Sequence, residues 1–549
     1  MDKPRTGHDP GTATDTDTDV AIIGGGLAGL TLAIQLRRQD PGLRVLVVER
    51  NAHPVREAAF KVGESTVEIG AHYFAHVLGL RDHLDSAHVR KFGFRFFFSE
   101  GRMDVDRCTE LGVSRLLPTP SWQIDRGRFE NFLGERARAL GVDFRDGAVV
   151  RDVALGEGDD AHALTFEHGG DTATLSARWV VDASGRAGVL KRKLGLARDN
   201  HHDANAAWWR VEGLVDPNDW SDDPQWLARC TPPDRWRSTN HMCGPGYWFW
   251  LIPLASGHHS LGIVCDGKAH PLETMNTHDK AMAWLREHQP RVAASLEGHA
   301  LSDFRFMRHF SHGCTQVFGH RWALVGEAGL FLDPFYSPGS DFIAIANTYV
   351  CNLVARDRAG GNWSSYADVY QQLYFSFYET TMTLFQDQYA LFGDAQVMPV
   401  KIIWDYTFYW ALLAPTFFSG RIADVAMFGR LRTQFERGSV LNAAMQALLR
   451  EWGERNAGRP LAIDSRLLDQ YHIDWFHELN RALADQLGDD AFAARITGNV
   501  ERMGWLAAEI RARARSEHAG IGDHGLDLLL EGEPPPPSLS AAWYADVAA

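Results

Sequence analysis

The sequence predicts an α/β fold in which a parallel sheet carries an inserted β-rich region and runs on into a helical C-terminal region. Three observations carry this expectation. Residues 20–23 (VAII), a glycine turn, residues 30–38 and residues 43–49 (LRVLVVE) read as strand, turn, helix and strand, which is the βαβ unit of a parallel sheet with a right-handed crossover. From 208 to 264 apolar β-type runs alternate with turns, including a hairpin around Gly257. After Ile343 the apolar spacing is mostly helical to about Leu530. At 549 residues the chain needs two or more packed units.

The remaining elements follow in order. Residues 125–140 read as a helix, and a polar β-rich stretch follows to Ala177. Residues 178–182 (RWVVD) form a buried strand that ends in Ala183-Ser184-Gly185, and residues 321–325 form another. The expected divisions are a disordered tail over 1–17, rich in alternating Thr and Asp, a main domain over 18–350, a helical region over 351–530 and a proline-rich tail over 531–549. Pro534 to Pro537 should be extended polyproline.

Composition excludes several classes. A formal net charge of −15 offers no electrostatic footprint for nucleic acid or an anionic membrane. The six cysteines are scattered without a CxxC pair, which argues against a disulfide framework or zinc site and fits a reducing cytoplasm. The first residues lack the apolar stretch of a secretory signal. The most apolar late segment, 404–418, is interrupted by Asp405 and Pro415. It is too short to span a bilayer and reads as a buried helix pair. His72 and His76 have i, i+4 spacing, but Tyr73 stands where a zinc protease needs Glu, and no GxSxG element is present. His258-His259 reads as a turn. The 18 Trp and 30 Phe suit flat-walled pockets, or simply core filling.

Gly24-Gly25-Gly26-Leu27-Ala28-Gly29 matches GxGxxG at the strand–helix junction. Gly24 permits the turn, Gly26 lets backbone approach a pyrophosphate, and Gly29 allows close helix–strand packing. Phosphates would then meet the N–H groups of the helix start at Leu27 and Ala28. Glu49, closing the second strand next to Arg50, can accept bonds from ribose hydroxyls. The turn is a Rossmann-type signature, which by itself does not separate FAD from NAD. Later segments do. Trp122-Gln123-Ile124-Asp125-Arg126, Asp182-Ala183-Ser184-Gly185-Arg186 and Arg321-Trp322-Ala323-Leu324-Val325-Gly326-Glu327-Ala328 resemble, in that order, segments of the FAD monooxygenase superfamily. The resemblance implies a Rossmann-type FAD-binding domain, with Arg126 by the flavin, Asp182 in the mid-chain turn, and Gly326 and Glu327 near the ribityl or phosphate region.

Three further segments, within roughly residues 18–350, resemble the flavin-dependent halogenases of that superfamily. Trp248-Phe249-Trp250-Leu251-Ile252-Pro253 matches their WxWxIP motif; Trp248, Trp250 and Pro253 would crowd the flavin and keep it from attacking an organic substrate directly. Lys61-Val62-Gly63-Glu64-Ser65-Thr66 resembles their GEAT/GES strap, implying that Gly63, Glu64 and Ser65 join the flavin and substrate regions. Asp333-Pro334-Phe335-Tyr336-Ser337-Pro338-Gly339 resembles the segment that holds halide by the flavin, implicating Pro334, Ser337, Gly339 and Ser340. Hydroxylases usually place this glycine closer to the proline. Two residues depart from the family. Tyr336 stands where tryptophan halogenases carry Glu, and Pro338 has no N–H to offer halide, leaving Gly339 or Ser340 to do so.

The run Lys91-Phe92-Gly93-Phe94-Arg95-Phe96-Phe97-Phe98 reads as one strand, with the even-numbered Phe on one face and Lys91, Gly93 and Arg95 on the other. By spacing alone Lys91 is a solvated lysine on an exposed face. The resemblance instead implies that it is the catalytic lysine, because the family carries an essential Lys on this strand. The implied activity is halogenation of a small electron-rich aromatic in secondary metabolism, antibiotic biosynthesis among its settings. It would use reduced FAD, oxygen and chloride or bromide. The missing Glu at 336 favours phenolic or pyrrolic substrates, free or carrier-bound. With no second GxGxxG unit for a nicotinamide, a separate flavin reductase would supply reduced FAD. The competing readings are a single-component FAD hydroxylase using NAD(P)H and a non-catalytic flavin-binding protein.

Overall fold

The computed structural model describes residues 16–458 and 466–530. Apart from Thr16 and Asp17, the expected tail over 1–17 lies outside the described residues, as do the proline-rich tail over 531–549 and its polyproline segment. Asp17 accepts a 2.8 Å bond from Ser176 N, and the first strand starts directly after it at Thr18.

Two large sheets make the frame. In the first, Phe318–Gly319, Trp322–Leu324, Asp171–Asp182, Thr18–Ile23, Val45–Glu49 and Asp143–Asp146 lie side by side. Thr18–Ile23 pairs in parallel with both Val45–Glu49 and Asp171–Asp182, with Val20 opposite Val45 and Trp179. Helix Leu27–Gln39 provides the crossover. Residues 20–23 and the strand Val45–Glu49 are fully buried, which is why they are near-continuous apolar runs rather than alternating ones.

The second sheet runs Leu301–Met307, Ala204–Glu212, His258–Asp266, Tyr247–Pro253, Thr239–Gly244, Phe94–Phe98, Thr109–Gly112 and Arg466–Asp469. It separates two apolar layers. Along Tyr247–Pro253, Trp248, Trp250 and Ile252 join the large core shared with the first sheet. Tyr247, Phe249 and Leu251 join a smaller core under the helices His278–His288 and Pro290–Ser295. Strand alternation therefore aims both tryptophans at the space between the sheets. The turn between this strand and the next is Leu254–Gly257, with Leu254 N donating to His258 O at 2.8 Å. His258 and His259 thus begin a strand instead of forming the turn.

The strand expected from Lys91 starts only at Phe94. Gly93 takes φ +70°, a left-handed kink that breaks the two-residue alternation. Lys91 therefore comes over the Phe94 ring, its Nζ 3.4 Å from the centroid, while Arg95 goes to the other layer, buried against Glu110. Lys91 is 3% exposed and not solvated. The apolar run 404–418 is not a helix pair. It is one helical run, Val397–Phe408, Tyr409–Leu413 and Ala414–Phe418, whose middle is a π segment just before Pro415. The C-terminal region is mostly helical but returns one strand, Arg466–Asp469, to pair in parallel with Thr109–Gly112. Among the described residues, no helix is long and apolar enough to cross a membrane.

The glycine turn shows how tightly helix and sheet meet. A Cβ at Gly29 would fall inside the carbonyl oxygen of Gly24. Alanine ordinarily helps a helix by up to about 1 kcal/mol over glycine. Here the steric cost dominates, so Gly29→Ala should destabilise the protein by about 1–3 kcal/mol or more. Thermal denaturation followed by circular dichroism checks this, and a raised midpoint would count against the packing described.

Candidate active site

A cavity of about 560 Å³ opens between the two sheets, within the size range of cofactor sites. The first sheet supplies its floor through Gly24, Gly26, Leu27 and Ala28, where the strand–helix turn leaves backbone bare. A Cβ on Gly26 would meet no heavy atom within 4 Å, so this glycine faces open space rather than packing. Glu49 borders the same end beside Arg50. Its Oε2 accepts from Gly25 N at 2.7 Å and its Oε1 from Asn51 N at 2.8 Å, which holds the turn in shape.

The strap 61–66 crosses from one sheet to the other along the cavity wall. Gly63 has φ +86°, which lets the chain pass close under Arg126. Arg126 lines the cavity and donates to Val62 O at 2.6 Å and to Glu130 at 2.7 Å. Glu64 is bound by Arg210 at 2.6 Å and by Ser260 Oγ at 2.7 Å, and burial nevertheless pushes its carboxyl up. Gly326 and Glu327 border the cavity, with Arg186 4.0 Å from the Glu327 carboxylate.

The other end is closed by Trp248 and Trp250, whose ring centroids are 5.8 Å apart, and by Pro334, Ser337, Gly339 and Ser340. Gly339 begins a 20-residue helix, Gly339–Arg358, capped by Pro338. The first N–H groups of a helix have no intrahelical acceptor and carry its positive end, so this terminus can hold an anion. Ser340 Oγ is buried there without a hydrogen-bond partner among the described residues.

Four of the residues singled out from the sequence do not line the cavity. Gly29 packs against the turn. Asp182 holds the turn from below, accepting from Ser184 N at 3.0 Å and Leu190 N at 2.7 Å. Pro253 ends its strand opposite His259. Lys91 lies behind the wall. Its Nζ donates to Ser65 Oγ at 2.9 Å and Thr66 O at 3.0 Å, and Ser65 Oγ in turn shares a 2.9 Å bond with Thr239 Oγ1. Ser65 and Thr239 both face the cavity. Lys91 is therefore one side chain removed from it.

The surroundings of Lys91 were not legible in the sequence. Burial pushes its ammonium down to about 7, and Glu68 and Asp341 pull the other way. Burial also pushes Asp341 up to about 7. Glu68 stands two residues beyond Thr66, and Asp341 two beyond Gly339, so each lay just past the end of a motif and was not marked by it. His241, on the cavity wall, stacks on Phe96 with centroids 4.8 Å apart, and burial pushes it down to about 3, leaving a neutral ring. The arrangement can hold a dinucleotide in the cavity, with a buried amine behind its wall and the hydroxyls of Ser65 and Thr239 between them.

Comparison with known proteins agrees with this geometry. A sequence family described as FAD binding domain matches residues 17–296. The chain is 26% identical over 492 residues to a flavin-dependent halogenase of Dictyostelium discoideum, covering 83% of this chain and 80% of that protein. It is 28% identical over 357 residues to the 1H-pyrrole-2-carbonyl-[peptidyl-carrier protein] brominase of Pseudoalteromonas luteoviolacea, covering 63% and 79%. The solved structure of halogenase PltM with phloroglucinol and FAD superposes with a TM-score of 0.63 at 18% identity, covering 88% of this chain and 99% of that one. At that identity the likeness is one of fold.

Gly26 separates packing from binding. Gly26→Ala should leave the thermal midpoint unchanged, because the added methyl meets nothing in the protein. It should weaken FAD binding at least about tenfold, because the methyl enters the space a pyrophosphate would use. Flavin fluorescence titration reads the affinity, and an unchanged value would remove the turn from the binding site.

Proposed function

Because the chain belongs to the FAD binding domain family, we propose that it is a flavin-dependent halogenase acting on a phenolic or pyrrolic substrate. One observation carries the reading: a buried lysine with a depressed pKa stands outside the nucleotide cavity, joined to it, among the described residues, through Ser65. An aromatic hydroxylase has no use for an amine in that place, since its substrate reacts in the flavin chamber itself.

The residues present fit FAD. Gly26 leaves a gap that a Cβ would fill, and Ser340 Oγ is an orphaned donor at a helix N-terminus. Gly24, Gly26, Leu27 and Ala28 would receive the pyrophosphate, Glu49 the ribose, and Gly339 and Ser340 the halide. When bound in reduced form, FAD supplies with oxygen the oxidising power that converts halide to hypohalous acid. Trp248 and Trp250 exclude an aromatic substrate from that chamber. Ser65 and Thr239 form the wall between that chamber and Lys91. Lys91 then orients the hypohalous acid beside the substrate ring, or its neutral amine takes the halogen as the oxygen–halogen bond breaks and the amine proton leaves with the hydroxyl as water. The gain is positional, because the oxidant is delivered to one ring carbon rather than to water.

Tyr336 supports the substrate class. Its hydroxyl donates to Asp405 at 2.8 Å, and Asp405 is in turn bound by Lys401 at 2.7 Å. The position where tryptophan halogenases carry Glu therefore offers no free carboxylate. Phenols activate themselves by ionising and pyrroles are electron-rich, so neither needs one. The relatives include an enzyme named for pyrrole on a peptidyl carrier protein and one named tetracycline 7-halogenase. We propose that the substrate is free or carrier-bound and that a separate reductase supplies reduced FAD.

Two measurements test this. Phenols, pyrroles and a pyrrolyl carrier protein, incubated with reduced FAD, oxygen and bromide or chloride, should gain halogen, seen as an isotope pattern by mass spectrometry. Rapid NADPH oxidation by the protein alone, rising with an aromatic substrate and yielding hydroxylated product, would establish the hydroxylase instead. Second, Lys91→Met should lower halogenation by about 10²-fold or more, the scale expected for a lost positioned proton-transfer group, while oxidation of reduced FAD continues at the parental rate. Methionine is preferred to alanine. Removing a buried side chain this long costs about 2–5 kcal/mol as a cavity, so Lys91→Ala would confound stability with catalysis.

A further inference from the structure

Lys91 is a buried cation whose hydrogen bonds go to neutral oxygens. Among the described residues they are Ser65 Oγ and Thr66 O, with the Phe94 ring face below. Isolated buried charges are costly and are normally paired with a counter-charge. Two carboxylates lie close by on different elements. Asp341, on the helix Gly339–Arg358, is fully engaged, with Oδ1 accepting from Gly70 N at 2.8 Å and Oδ2 from Tyr409 OH at 2.6 Å. Glu68 begins the helix Glu68–His72, two residues after the carbonyl that Lys91 holds. It is 7% exposed, and its Oε1 accepts from Asn480 Nδ2 at 3.0 Å.

We propose that Glu68 is the positioning residue for Lys91: its carboxylate, aimed by Asn480, supplies the counter-charge that sets how readily the amine is protonated and where it points. The inference rests on the halogenase reading. No direct ion pair closes between the two among the described residues, so the field of Glu68 acts on Lys91 while the amine remains available to a small oxidant. Asn480 extends this into the C-terminal region. Its Oδ1 accepts from Thr119 N and its backbone carbonyl from Thr119 Oγ1, both at 2.9 Å, which fixes the amide that holds Glu68. The helical region thus completes the site.

The other groups near the amine are Asp341 and His241, the latter on the strand Thr239–Gly244, while Tyr406 and Tyr409 on the helical run 397–418 stand against the carboxyls of Glu68 and Asp341. Burial holds His241 neutral and both phenols protonated, so the two carboxyls are the groups able to answer the charge on Lys91. Of the two, Glu68 belongs to the segment that holds the amine, starting its helix two residues after the Thr66 carbonyl that accepts from Lys91 Nζ at 3.0 Å. Burial pushes the Glu68 carboxyl upward too.

The sign is unambiguous: removing a negative neighbour destabilises the ammonium and lowers its pKa. The test follows the Cε resonance of Lys91 against pH in FAD-bound, oxidised protein labelled with [ε-13C]lysine. Its loss in Lys91→Met assigns the resonance. In Glu68→Gln, which keeps the shape and can still accept from Asn480, the midpoint should fall by roughly one unit or more. Glu68→Asp should restore part of the shift. The pH limb of halogenation governed by Lys91 should move by the same amount, with oxidation of reduced FAD unaltered. An unchanged midpoint in folded Glu68→Gln overturns the proposal, as does a shift produced by Asp341→Asn and not by Glu68→Gln. Should Glu68→Gln fail to fold, Asn480→Ala replaces it, and an unchanged midpoint there is equally adverse. The titration needs no halogenation, so a parent protein that halogenates nothing would defeat the functional reading while this measurement still decides the role of Glu68.

Discussion

The hydrogen bonding of residues 64–66 is the constraint on which the site depends. Glu64 is anchored to Arg210 and Ser260 of the second sheet, and its carbonyl accepts from Ile124 N at 2.6 Å. Ser65 joins Lys91 to Thr239. Thr66 exchanges bonds with Trp122, its N donating to the carbonyl at 3.1 Å and its Oγ1 accepting from Trp122 N at 2.9 Å. All three side chains are buried, and a buried polar group without a partner costs on the order of 1–3 kcal/mol. The strap can satisfy these groups only in one position, and that position is the wall between the nucleotide cavity and Lys91.

The far end of the cavity relies on backbone instead. Ser337, at φ +55°, and Pro338 turn the chain sharply into the helix that starts at Gly339. Pro338 contributes no N–H, but its fixed φ suits a helix start and leaves the exposed N–H groups to the residues after it. Helix Glu68–His72 packs directly here, since a Cβ on Gly70 would collide with Ser340. The start of the helix Gly339–Arg358 and the start of the helix bearing Glu68 are therefore tied together by Gly70 and Asp341.

The helical region works by aromatic and polar packing against that frame. Phe335 stacks on Phe392 with centroids 4.5 Å apart, and Tyr336 reaches Asp405 in a buried network with Lys401 and Gln446. Tyr406 stacks on Trp410 at 5.1 Å. Tyr406 also stacks on Phe94, whose ring lies under Lys91. The single large core running from Val20 to Leu530 makes the two regions one packed body.

The sequence by itself determined the parts whose physics is local. A glycine turn between a buried strand and a helix can be read from spacing because a tight turn and a close approach admit no other residue. The alternation of Trp248 and Trp250 follows from the two-residue repeat of a strand, and the order of the motifs identified the FAD-type domain. Lys91 was visible only as a residue type in the right interval. Its strand began three residues late because Gly93, free to take positive φ, reversed the alternation on which its exposure had been judged. Glu68, Asp341 and Asn480 were beyond reach of any local pattern, since a buried ionisable group is placed by what surrounds it. Those neighbours come from segments hundreds of residues apart, and only the tertiary structure, through burial and long-range hydrogen bonds, decided that they would meet.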